Sequence, residues 1–310
     1  MAKKELNFDF FGHRKLYFII SSVLIVLSIV LTLTMGVKID IKFTGGTIAT
    51  YSYTGSVDAS AFQKVAEQQT GIAAKLQQST NIATGKTNFV LNFSQTEGLP
   101  VEEQNALTDA LEKAFPDNEI SLVSTNSVSP TMGKDFLLKC LITVGICALF
   151  MTIYIALRFK RISGWSSGVM AVIALIHDML MVYAAFVIFR LSLDDNFIAV
   201  LLVILGYSVN DTIIIYDRIR ENKKLYNTME PEALVNLSVN QTLPRTINTT
   251  ISTLIAMVSI CALALIFQVN SIISFALPLI VGLISGAYSS ICLSPVLWVL
   301  WQNRKRARRH

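Results

Sequence analysis

The chain has 310 residues, of which 53% are hydrophobic and 15% charged, and a net charge of +5. A soluble domain usually carries about 25% charged residues, so this composition excludes an ordinary soluble enzyme and points to a chain that crosses a membrane. The positive charge alone would suit nucleic acid, but the basic residues cluster in a few short segments, and anionic lipid headgroups account for them.

In chain order, residues 1–15 are a basic N-terminus with Lys3, Lys4, Arg14 and Lys15. The apolar run that follows reaches the roughly 20 residues a bilayer core requires and predicts a first span over 16–37. Leu33-Thr34-Met35-Gly36 offers no small-x-small cleavage site, so this span reads as an uncleaved anchor and not as a signal peptide. The polar segment 38–136 then alternates in type. Strands are expected at 47–53 (TIATYSY), 73–79, 87–93 (TNFVLNF) and 119–125, and helices at 58–70 and 100–115. The order β-α-β-β-α-β predicts a small α+β domain of ferredoxin-like type on the extracytoplasmic side.

Five more spans are expected at 137–157, 162–189, 196–217, 244–268 and 271–301. The last two come from one stretch, 246–303, that lacks Asp, Glu, Lys and Arg and is too long for a single crossing; it breaks at Gln268-Val269-Asn270-Ser271. An amphipathic cytoplasmic loop is expected at 218–243, with Pro231 opening a second helical piece. A basic tail occupies 302–310. Pro278 and Pro295 predict kinks in the last span, and the small-residue pairs Gly164/Gly168 and Gly282/Gly286 predict close helix packing. The fold class is therefore a six-span α-helical membrane protein carrying a small ferredoxin-like domain.

Lys and Arg concentrate at the N-terminus, at 158–161, at 218–245 and in the tail, whereas the short loops of opposite side hold only Arg190, beside Asp194 and Asp195. This bias predicts a multi-pass protein of the cytoplasmic (inner) membrane with both termini cytoplasmic. Cys140, Cys147, Cys261 and Cys292 all fall within predicted spans, so no disulfide framework is expected, and their spacing suits no metal.

A charge in hydrocarbon costs at least about 2.5 kcal/mol, so each one needs a reason. Asp217, next to Arg218, marks a membrane boundary. His177-Asp178, near the middle of the third span, fits either a hydrogen bond that orders the bundle or a step in a proton path. Asp211 sits among Tyr207, Ser208, Asn210 and Thr212 in the fourth span, and the fifth span carries Thr242, Arg245, Thr246, Thr249 and Ser252 at helical spacing. Arginine keeps its proton, whereas a carboxylate that alternates between paired and unpaired settings takes one up and releases it. The expected proton pathway comprises Asp211, Arg245, Asp178, His177, Asn210, Thr246 and Thr249. Gly45 and Gly46 read as a hinge between the first span and the exterior domain.

An intramembrane aspartic protease is disfavoured, because Val209-Asn210 precedes Asp211 where that class has Gly-x-Gly. Gly45-Gly46 lacks the Lys-Ser/Thr of a phosphate loop. No catalytic residue, metal or cofactor is expected; the chain is not read as an enzyme, and its energy would come from a proton gradient.

Several segments resemble the SecF family of protein-export membrane subunits, the SecD/SecF family of the RND superfamily. They are Phe43-Thr44-Gly45-Gly46-Thr47, Ile176-His177-Asp178, the stretch from Gly206 through Asp211 to Asp217-Arg218-Ile219-Arg220-Glu221, and Ser238 through Arg245 to Thr246. Lys42 departs from the family's common Asp, and Tyr216 from a common Phe. The resemblance implies half of an RND-type core that works with SecD on the proton-motive force to promote late steps of export, with Asp211 and Arg245 in proton passage. The partners it implies are SecD, the SecYEG channel, YajC, exported polypeptides and membrane lipids, without nucleic acid. The alternatives are half of an RND-type exporter of small molecules or lipids, for which the exterior domain is small, and a passive scaffold, which buried Asp211 and Arg245 disfavour.

Overall fold

The computed structural model describes residues 8–80, 87–93, 98–128, 130–160, 164–267 and 269–308. Apolar residues without interior Gly or Pro make α1 (Arg14–Met35) a continuous helix that ends at Gly36, whose positive φ of 67° suits a residue without a side chain. The short helix α2 (Ile41–Thr44) leads into β1 (Gly46–Ser52). Then come α3 (Ala59–Thr70), β2 (Ala74–Thr80), β3 (Thr87–Phe93), α4 (Val101–Ala114) and β4 (Ser121–Val128). The remaining helices are α5 (Pro130–Arg158), α6 (Gly164–Ile188), α7 (Asp195–Leu225), α8 (Pro231–Ile266), α9 (Asn270–Tyr288) and α10 (Ser294–Ala307). Six segments are long and apolar enough to cross a membrane, the last combining α9 and α10.

The chain divides into two units, Ile39–Leu141 and the remainder, Met1–Lys38 with Ile142–His310. In the smaller unit the sheet order is β2-β3-β1-β4, with every neighbouring pair antiparallel, as a ferredoxin-like domain requires. Period-two alternation places Ala49 and Tyr51 of β1 opposite Leu91 and Phe89 of β3 on one face. Phe62 and Ala66 of α3, with Leu107 and Leu111 of α4, close over that face into one apolar core. Each large side chain removed from water there contributes about 1.5–3 kcal/mol. Helix α3 starts where Asp58 accepts from Ser60 N at 2.9 Å and stops at Gly71, which is left-handed. Gly133, early in α5, lies so close to Phe43 and Gly45 that a Cβ would meet backbone at 2.9 Å.

In the larger unit α9 packs against α6, α7 and α8, and α1 against α6. The small-residue pairs do what their spacing predicts. A Cβ on Gly282 would lie 2.7 Å from Ile204 and 2.8 Å from Val182, and one on Gly168 would lie 3.1 Å from the Thr152 carbonyl oxygen. The larger unit also pins residues 8–13 onto α8: Asn240 accepts from Phe8 N at 3.0 Å and donates to Phe8 O at 2.8 Å, and Asn236 accepts from Phe11 N at 3.0 Å.

Two features differ from the sequence expectation. The segment 218–243 is a loop only at 226–230, and its helical pieces are continuous with the spans: α7 runs on to Leu225, and α8 begins at Pro231 and continues through Pro244. The extension of α7 carries ion pairs at helical spacing, Arg218–Glu221 at 2.9 Å and Arg220–Asp217 at 2.6 Å, and Pro231 has the fixed φ that suits a first turn. Pro278 lies inside α9, but the break in the last span falls later, as a π-helical turn over Ser289–Leu293. Pro295 lacks the N–H that would bond back to Ile291, and the wider turn accommodates that loss.

Candidate functional site

Asp178 of α6 is fully buried. Its Oδ2 accepts from Ser208 Oγ of α7 at 2.7 Å and from Ser289 Oγ at 2.6 Å, and its Oδ1 from Ser285 Oγ of α9 at 2.7 Å. His177 Nδ1 stands 3.2 Å from the same Oδ1, while its Nε2 is buried without a partner. The wide π turn brings two successive hydroxyls to bear. Ser289 reaches Asp178, and Ser290 donates to the Ser208 carbonyl at 3.1 Å and lies 2.9 Å from Thr212 Oγ1. One helical turn further along α7, the Tyr216 hydroxyl meets Ser294 Oγ at 3.0 Å. A polar seam thus joins α6, α7 and the last span through an otherwise apolar interior. Gly286 permits it, because a Cβ there would sit 3.3 Å from the Ser208 Cβ.

Asp211 lies one turn beyond Ser208 on α7 and differs in kind. It is 2% exposed, and its Oδ2 has no hydrogen-bond partner. On α8, which packs beside α7, Thr246 and Thr250 are buried, and their hydroxyls are likewise without partners. No hydrogen bond or ion pair connects Arg245 to Asp211 among the described residues. Arg245 and Asn210 are exposed on the bundle surface. Thr249 is also exposed and bonds back to its own helix, at 3.0 Å to Arg245 O and 2.9 Å to Thr246 O.

The residues singled out from the sequence therefore fall into three places. Asp178 is satisfied at a hydrogen-bond hub that His177 joins through Nδ1 alone, Asp211 and Thr246 belong to neighbouring buried faces with open valences, and Arg245, Asn210 and Thr249 lie outward. Gly45 and Gly46, with φ of 86° and 141°, sit between α2 and β1. Sequence reasoning missed Ser285, Ser289 and Ser290. Their signal was a run of hydroxyls in an apolar span, Ser285-Gly286-Ala287-Tyr288-Ser289-Ser290, whose facing only the π turn decides.

Residues 107–304 match the family model described as protein export membrane protein SecD/SecF, C-terminal. The chain belongs to the SecD/SecF family. It is 32% identical to the protein translocase subunit SecF of Rhodothermus marinus, over 99% of this chain and 97% of that one. It is 31% identical to the protein translocase subunit SecDF of Bacillus subtilis, over 96% of this chain but 39% of the relative. The crystal structure of SecDF from Thermus thermophilus, described as a translocon-associated membrane protein, superposes with a TM-score of 0.79 at 29% identity. That match covers 98% of this chain and 40% of the other, so this SecD/SecF-family chain spans about two fifths of the SecDF proteins. The SecF and SecDF relatives are named as subunits of a protein translocase, and this chain is, with them, a multi-pass membrane protein.

Proposed function

We propose that this chain is the SecF-type half of a SecD–SecF pair that draws on the proton-motive force to promote late steps of protein export. Relatives in which a matching segment forms about 40% of one SecDF chain support SecD as its partner. The SecYEG channel, YajC and the exported polypeptide complete the proposed assembly. It sits in the cytoplasmic membrane with both termini inside and residues 38–136 outside, and the drive needs no cofactor, metal or catalytic centre.

The observation that carries the reading is the buried, partnerless Oδ2 of Asp211 on α7, with the partnerless hydroxyls of Thr246 and Thr250 on α8, the helix packed against it. Buried polar groups are normally hydrogen-bonded, and an intramembrane carboxylate with an open valence marks a position that a proton can visit. Arg245, on the neighbouring helix α8, supplies a permanent positive charge. Asp178 serves as the fixed hub against which α7 is held, and His177, Asn210, Thr246 and Thr249 line the rest of the proposed path.

Asp211→Asn tests this. The amide keeps size and hydrogen bonding but cannot carry the proton. In vesicles with equal amounts of co-purifying SecD, the variant is expected to lose all uncoupler-sensitive stimulation of export. One charge crossing yields about 2.3 kcal/mol per 100 mV, so the loss is the whole gradient-dependent share. Full uncoupler-sensitive stimulation in the variant would remove Asp211 from the mechanism.

A further inference from the structure

We infer that the basic end of the helical bundle holds a specific site for one anionic phospholipid, in a cavity of about 630 Å³ between the end of α5, the start of α6 and α10. Four cations border it: Lys160, just after α5, Arg304 and Lys305 of α10, and Arg308 just after it. All four are exposed, and among the described residues none of them has an acidic partner. The neighbouring basic residues are spent otherwise, Arg158 on Asp217 at 3.1 Å and Arg306 on Glu230. Basic residues in a last helical turn also answer the helix dipole, which accounts for Arg304, Lys305 and Arg308 singly. It does not account for Lys160, which belongs to another element and borders the same cavity.

The wall below the cations selects a lipid over a soluble anion. Ala156 and Val169 give the cavity apolar lining, and Trp165 and Trp301, 74% and 48% exposed, line it as well. Tryptophan concentrates at the level of lipid headgroups, where one edge is apolar and the other wet. A phosphate alone would use only the cations; a phosphodiester with an acyl chain uses the cations and the indoles together. Gln302 Nε2, 3.4 Å from Ser166 Oγ, ties α10 to α6, so the two walls are held together without a ligand.

The full chain, delipidated in mild detergent, is titrated with phosphatidylglycerol and separately with phosphatidylcholine, and bound lipid is counted by native mass spectrometry. One retained phosphatidylglycerol is expected, with at least about tenfold preference over phosphatidylcholine, a modest demand on cations facing one phosphate. The double variant K160Q/R304Q should lose the preference, whereas K223Q/K224Q, which removes the same charge elsewhere on the bundle, should keep it. W165A/W301A should weaken retention of both lipids. Thermal midpoints measured without lipid check that the variants remain folded, which exposed substitutions normally do. Equal retention of the two lipids by the wild type, or equal loss in K223Q/K224Q, overturns the site. Displacement by inorganic phosphate at lipid-like concentration would make it a free-anion site, and stoichiometric displacement by polyglutamate would make it a protein-binding surface; either result also overturns the proposal.

Discussion

Two aspartates of the same bundle have opposite surroundings, and the difference separates structure from work. Asp178 accepts from three serine hydroxyls, and every donor comes from a different turn of α7 or the last span. Removing the acceptor leaves those hydroxyls buried and unpaired, at about 1–3 kcal/mol for the worst placed of them, although alternative partners within a membrane soften each loss. Asp178→Ala is therefore expected to lower unfolding stability in detergent by about 2–4 kcal/mol, and Asp178→Asn by roughly half that, since the amide retains one acceptor oxygen. Thermal or SDS unfolding of the two variants beside the wild type is the measurement. A neutral Asp178→Ala would show that the serines find other partners and that the hub holds nothing. Asp211, with its Oδ2 free, has no such bonds to lose.

Among the elements, α9 and α3 carry the clearest commitments. Gly282 lets α9 approach α6 and α7 more closely than any side chain would allow, since its Cβ would stand 2.7 Å from Ile204 and 2.8 Å from Val182. Gly282→Ala should cost about 1–3 kcal/mol by overpacking, against which a better helix former returns up to about 1 kcal/mol. Ile204→Ala should accordingly cost less in the Gly282→Ala background than alone, because it removes both carbons, Cδ1 and Cγ1, that the new Cβ strikes. A double-mutant cycle reads this directly, and additive losses would contradict the contact. In the smaller unit, α3 is held at both ends by carboxylates. Ser60 bonds draw Asp58 below its usual 3.8, and bonds from Gln63 and from Ala74 N draw Glu67 below its usual 4.5. Groups lowered in the folded state stabilise it above their unfolded values and lose that contribution as pH falls through the lowered ones. Residues 39–128 expressed alone should thus unfold cooperatively, with a midpoint flat from neutral pH down to about pH 5 and falling below about pH 4. Asp58→Asn should flatten the acid limb, and reductant should change nothing.

At the scale of the molecule, six crossings place both ends of the chain on one side, whichever side that is. The direction comes from charge: Arg218, Arg220, Lys223 and Lys224 extend from α7, and Arg304, Lys305, Arg306 and Arg308 from α10. Lys and Arg resist translocation, so this end is expected in the cytoplasm and residues 38–136 outside. In a variant without its four cysteines, Ser56→Cys should react with an impermeant thiol reagent in intact cells, and Asn227→Cys only after permeabilisation. Both positions are exposed, so accessibility within the fold does not bias the comparison. The reverse pattern would invert the proposed orientation.

The sequence by itself determined the six apolar segments, the β-α-β-β-α-β order and the burial of Asp178 and Asp211, because hydrocarbon and a pleated sheet each impose a period and a length that can be counted; Arg245, expected to be buried with them, is exposed. The tight approaches of Gly168 and Gly282 were legible for the same reason, since small residues four apart leave a groove. Only the tertiary structure decided which polar residues meet. Ser285, Ser289 and Ser290 become partners of α6 and α7 through a π turn whose wider winding changes the facing that a 3.6-residue period would assign. The fate of Asp178 and Asp211 was undecidable from two similar aspartates in two similar spans, because satisfaction of a carboxylate depends on donors 30 to 111 residues away in sequence. The continuity of α7 and α8 past the apolar runs was hidden because polarity marks where a span leaves the bilayer, and a helix has no reason to end there.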